Sequence, residues 1–140
     1  MSVQPSSMLR IMFIVGATVD GAIAASWFLI ASGVQIPNIL NGYVGAGSDY
    51  QLAMYVAAMF MMGWALLLVW GAIRPLERRG LLLITSAFLI LSVVIELMFY
   101  RDTLRGGGFA FGVAKRIFLS SAAIAVYVYS SRHEKSPLNT

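Results

Sequence analysis

Cysteine is absent from this 140-residue chain, which excludes disulfides and thiolate chemistry and leaves the redox compartment unread. Histidine occurs once, as His133 in the polar tail RHEKSPLNT, so no histidine-cysteine metal cluster can be assembled. Charge is scarce too, at 11% of residues, against about 25% in soluble domains. Apolar residues fill 59% of the chain, and the mean hydropathy is +0.81. A soluble fold this short leaves too much surface exposed to hide that many apolar side chains. With lipid as solvent the difficulty disappears. The length suits one integral membrane domain over residues 1–140.

Four long apolar runs are present, at about residues 11–33, 52–73, 81–99 and 112–131. Each approaches the ~20 residues that a helix needs to cross the hydrocarbon core. Backbone groups find no water there, so helix is the expected conformation. The expected fold is therefore all-α, a four-helix transmembrane bundle. The N-terminus imitates a secretory signal, with Ala22-Ile23-Ala24 as a would-be cleavage site. Asp20 interrupts that apolar core, and the run resumes through Trp27, Phe28, Leu29 and Ile30, so an uncleaved first helix is expected.

The net charge of +4 does not point to nucleic acid, because the basic residues flank the apolar runs, where orientation signals belong. Arg10, Arg74, Arg78, Arg79, Arg132 and Lys135 fall at one end of the predicted bundle, and the loop over residues 34–51 at the other has no lysine or arginine. Cationic loops stay in the cytoplasm, so both termini and the RPLERRG turn are expected there, with Arg74, Arg78 and Arg79 near lipid headgroups. Arg101, Arg105, Lys115 and Arg116 run against this rule.

The polar residues inside the spans carry the functional expectations. Asp20 shares a helix face with Ala17, Ala24 and Trp27, and small residues mark faces where membrane helices approach closely. Asp20 should face the bundle, roughly 14 Å from Ile11 and near mid-bilayer. Ser92, Ser120 and Ser121 fall near its level as hydrogen-bond donors. Glu96 and Arg116 each lie roughly 6 Å below an outer helix end, if the last helix starts near Gly112. They are expected to pair, with Lys115 as the second choice. Two readings compete for Asp20: a packing lock hydrogen-bonded to serines, or a proton or substrate site, since intramembrane carboxylates mark function by default. For the Glu96–Arg116 pair, fixing of helix register leads.

Other features suggest less. Met54, Met59, Met61 and Met62 do not all share a face, and packing explains them better than copper binding. The GGGFAFG stretch follows no strand and fails the context test for a nucleotide loop. Its glycines make either a hinge or a close approach. No catalytic constellation, metal site or cofactor site is expected. The run GWALLLVWGAIRPLERRGLLLIT, residues 63–85, resembles the second and third helices of small uncharacterised bacterial four-helix membrane proteins. The resemblance implies a bacterial cytoplasmic membrane and no particular chemistry. The expected partners are the lipid bilayer and a second copy or another membrane protein. The expected function is a binding or assembly subunit. The alternative is a small proton-responsive carrier or channel using Asp20 and an outer Glu96, Lys115 and Arg116 cluster.

Overall fold

A computed structural model describes residues 4–102, 104 and 107–134. It contains four helices: α1 Pro5–Ala31, α2 Ser48–Ile73, α3 Gly80–Phe99 and α4 Gly107–Glu134. All four are long and apolar enough to cross a membrane. The predicted runs are their centres. α1 starts six residues before the apolar run, with Pro5 in its first turn, where a missing N–H costs nothing. Leu9, wholly buried, ties this extension to the bundle. α4 starts at Gly107 and not at Gly112, so most of the glycine-rich segment is helix rather than hinge.

α1 packs along α2, α3 along α4, and α1 against α4. Gln4, Pro5 and Ser6, the turn residue Leu76, and Ser130 and His133 line one cleft. The start of α1, the end of α4 and the α2–α3 turn therefore share one end of the bundle. In that half, Leu9, Phe13, Leu68, Leu82 and Ala123 form an apolar core. The Phe13 ring fills the place where a side chain at Gly71 would stand: a Cβ there would meet the ring at 2.6 Å. Toward the other end Ile23, Trp27, Ile30 and Ala58 form a second apolar cluster. The Trp64 indole N–H donates to Thr85 Oγ1 at 3.2 Å and joins α2 to α3. Outward, Phe60, Phe88 and Phe118 are 77%, 63% and 72% exposed. Water would penalise so much bare apolar surface, and acyl chains would not.

The turn arginines are not all free orientation signals. Arg78 lies 3.4 Å above the centroid of the Trp70 ring and donates to the Trp70 carbonyl. Arg74 meets Glu77 at 3.4 Å on the surface, a pair of the kind worth about 0–1 kcal/mol. Pro75 is buried beneath this turn.

The long α1–α2 connection folds around Asn38, which is only 7% exposed. Its Oδ1 accepts from the Trp27 indole at 3.1 Å and from the Leu40 amide at 3.0 Å. Its backbone N–H donates to the Tyr43 carbonyl at 2.9 Å, and its carbonyl accepts from Gly42 at 2.7 Å. Gly42 has φ of 74°, which permits this tight turn. The loop then presses against the start of α4. A Cβ on Gly112 would stand 1.7 Å from the Leu40 carbonyl oxygen, and one on Gly108 3.2 Å from the Gly42 Cα. Of the two readings of the glycines, close approach is what Gly108 and Gly112 provide.

Gly112→Ala should therefore push the loop off α4 and lower stability by about 1–3 kcal/mol. Gly63→Ala, where a Cβ meets nothing within 4 Å, should cause no loss. Thermal unfolding of both variants in one detergent reads the contrast, and equal stabilities would count against the docked loop.

Candidate functional site

The polar groups predicted to matter separate into two places. The first lies at the end of the α3–α4 pair opposite the α2–α3 turn, the end called outer because the charge pattern predicts it to face away from the cytoplasm. Arg116, on α4, is 1% exposed. Its guanidinium makes an ion pair with Glu96 of α3. It also donates to Ser92 Oγ at 3.0 Å, to the Gly112 carbonyl at 3.1 Å and, at 3.5 Å, to the Leu40 carbonyl of the outer loop. The pairing inferred from matched depth is present. It survives the earlier start of α4, because lengthening a helix outward does not alter the depth of residues already in it. Lys115, the second choice, instead donates to the Ile39 carbonyl at 3.0 Å, with its ammonium 5.8 Å from the Phe111 ring.

Glu96 has a second neighbour that composition did not reveal. Asn41 Nδ2 donates to Glu96 Oε1 at 3.2 Å, while Asn41 Oδ1 accepts from the Tyr43 amide at 3.2 Å. These two bonds fix which way the Asn41 amide points. The loop thus supplies three groups to the helix charges: the Ile39 and Leu40 carbonyls and the Asn41 amide. Carbonyls carry no sequence signal. The available clue was a pair of asparagines in a cation-free loop that must face the charged ends of α3 and α4.

A cleft of about 580 Å³ opens beside this network, lined by Asn41, Tyr43, Ser92, Ile95, Glu96, Tyr100 and Leu104. Ser92, Glu96 and Tyr100 follow one another at four-residue spacing along one face of α3 and its C-cap. Arg116 stands behind them, its side chain 2% exposed against 15% for Glu96. The carboxylate is therefore the charged face that the cleft presents.

The second place is the middle of the bundle. Asp20 is half-buried and lines a cavity of about 30 Å³ with Leu68 of α2, Thr85, Ser86 and Leu89 of α3, and Leu119 and Ala123 of α4. That volume accommodates one or two waters. The neighbours differ from those expected. Ser92 is taken by Arg116 and by the Leu89 carbonyl. Ser121 is exposed on the outside of α4. Ser120 is buried, but its hydroxyl has no hydrogen-bond partner among the described residues. Its carbonyl accepts from Ser86 Oγ at 3.4 Å. Thr85 and Ser86 are the polar side chains that share the Asp20 cavity, and both hydroxyls also donate back to their own helix. The way α3 packs sets Thr85 and Ser86 at the depth of Asp20, one to two turns further in than Ser92.

Neither place resembles a metal centre. Among the described residues no three histidine, cysteine, aspartate or glutamate side chains come together. The methionines are dispersed: Met59 is 54% exposed, and Met54 sulfur receives a 3.9 Å contact from Asn38 Nδ2. Comparison with known protein families, with curated proteins and with solved structures gives no match. The chemistry is therefore read from the geometry of this chain.

Removing one partner of the buried pair strands the other. Glu96→Gln alone should cost about 3–5 kcal/mol by leaving the Arg116 guanidinium uncompensated. Adding Arg116→Gln should return part of that loss, and a double-mutant cycle of detergent unfolding measures the difference. Additive losses would show that the two side chains do not interact.

Proposed function

We propose that this chain is a small multi-pass protein of a bacterial cytoplasmic membrane, with both termini in the cytoplasm, acting as a binding or assembly subunit. The placement follows from the distribution of charge. Arg116 and Lys115, two of the four cations that opposed the cytoplasmic-turn rule, are engaged inside the outer network, so they carry little weight as orientation signals. Arg105 and Lys135 lie outside the described residues.

The assembly reading rests on one observation. The outer charges are engaged in clamping the chain's own loop to α3 and α4, which makes a fixed block of the bundle's outer end. On α1, Thr18, Ala22 and Ala25 remain uncovered, and the space beside Gly21 is open. Small uncovered residues let a second membrane helix approach closely. The partner is a second copy or another membrane protein.

A second reading, a small proton-responsive carrier, is favoured by a different observation. Ser92 in the outer cleft and Leu89 in the Asp20 cavity are three residues apart on α3, roughly 4.5 Å along the helix. In this reading a movement of Leu89 would connect the two spaces. The apolar core borders the same cavity through Leu68, Leu82 and Ala123.

Two experiments address these readings. The cysteine-free sequence allows single labelling sites without background. A Ser48→Cys variant should react with a membrane-impermeant maleimide in intact cells, and a Leu76→Cys variant only after permeabilisation. The reverse pattern would invert the proposed orientation. Asp20→Asn keeps the size and most hydrogen bonds. Under the assembly reading, oligomer mass and cell phenotype should both be unchanged. Loss of a transport or resistance phenotype at unchanged mass would favour the carrier.

A further inference from the structure

We propose that the outer cleft binds a small amphipathic ammonium ion, one that carries at least one N–H on its charged nitrogen and an apolar body about the size of one ring. The assignment concerns the cleft mouth of the carrier reading but does not depend on transport, because an assembly subunit can bind the same ligand.

The argument begins with acceptor capacity. An ionised carboxylate offers about four lone-pair sites. Glu96 uses one on Oε1 for Asn41 and one on Oε2 for Arg116. The remaining acceptor capacity belongs to a side chain that lines the cleft and keeps 15% of its surface open. Arg116, its partner, is buried behind it at 2% and does not line the cleft. The pair is therefore a dipole with its negative end toward the ligand. An anion meets the wrong end of that dipole, and the guanidinium is out of its reach.

The partial cancellation by Arg116 decides which cation is favoured. A distant positive charge feels a nearly neutral pair, so net attraction is weak. A cation that donates an N–H directly to Glu96 gains a charge-assisted hydrogen bond at short range. A quaternary ammonium has no N–H and forgoes it. The rest of the lining suits an apolar body with a cationic head. Ile95 and Leu104 supply aliphatic surface, and Tyr43 and Tyr100 supply aromatic rings at the cleft. Tyr100 is 53% exposed and Tyr43 40%, so both rings are open to an arriving cation. Asn41 and Ser92 are held by bonds to the protein, which keeps the polar part of the cleft in one geometry.

Three probes of matched shape test this: 2-phenylethylamine, its N,N,N-trimethyl derivative and 2-phenylethanol. Each is titrated by calorimetry into the protein in nanodiscs of a neutral phospholipid, with protein-free nanodiscs as the blank. The amine should bind saturably in the millimolar range or better. It should bind roughly tenfold or more tightly than either the trimethyl derivative or the alcohol, the ratio expected for one charge-assisted hydrogen bond. Ile95→Trp, which places a larger side chain in the cleft lining, should weaken the binding at least tenfold and leave thermal unfolding near that of the parent. Equal affinities for the three probes, a tighter trimethyl derivative, no saturable signal, or binding weakened less than tenfold by Ile95→Trp would each overturn the assignment. None of these outcomes bears on oligomer mass or on the Asp20→Asn phenotype, so failure here is distinct from failure of either functional reading.

Discussion

A guanidinium withdrawn from water must find acceptors for its N–H groups within the protein, and Arg116 finds them on three separate parts of the chain. α3 contributes Glu96 and Ser92, α4 its own Gly112 carbonyl, and the outer loop the Leu40 carbonyl. Each of those contributors depends on the others. The loop reaches Arg116 only because Gly112 has no side chain, and Glu96 is oriented by Asn41 of the same loop. Helix pairing and loop docking at the outer end thus form one cooperative unit, in which losing any member leaves a buried charge or carbonyl unsatisfied. A hydrophobic replacement of the pair would be easier to bury, so the charges contribute specificity of arrangement more than net stability.

The same demand divides the bundle along its length. The buried charges and their partners collect where the loop meets α3 and α4, and the other half packs around Leu9, Phe13, Leu68, Leu82 and Ala123. Asp20 stands at the boundary, with a small cavity, Thr85 and Ser86 beside it, and the packed core beneath. Between it and the outer cleft lies one turn of α3 carrying Leu89.

Much of this was legible in the residues. Apolar runs near 20 residues leave the backbone no alternative to helix in lipid, and all four runs are helical. The Glu96–Arg116 pair followed from depth, since rise per residue is constant and opposite charges in a low-dielectric medium attract strongly. Helix ends were less legible. Pro5 and the buried Leu9 extend α1, and α4 opens at Gly107, where Gly108 packs closely on the Gly42 backbone of the loop. Of the partners expected for Asp20, Ser92 lies one to two turns along α3 from the cavity and Ser121 faces out of α4, because depth alone leaves helix rotation and register open.

Solvent, helix number and the identity of the few buried charges are consequences of composition and periodicity, which act residue by residue and need no knowledge of neighbours far along the chain. The docking of the outer loop is of another kind. Lys115 to Ile39 and Arg116 to Leu40 are bonds across 76 residues, made to backbone carbonyls that every residue possesses. Such contacts have no signature in side-chain order. They arise when four helices have packed and bring the Leu40 carbonyl to a place where α4 carries hydrogen instead of a Cβ, and that coincidence in space shapes the cleft.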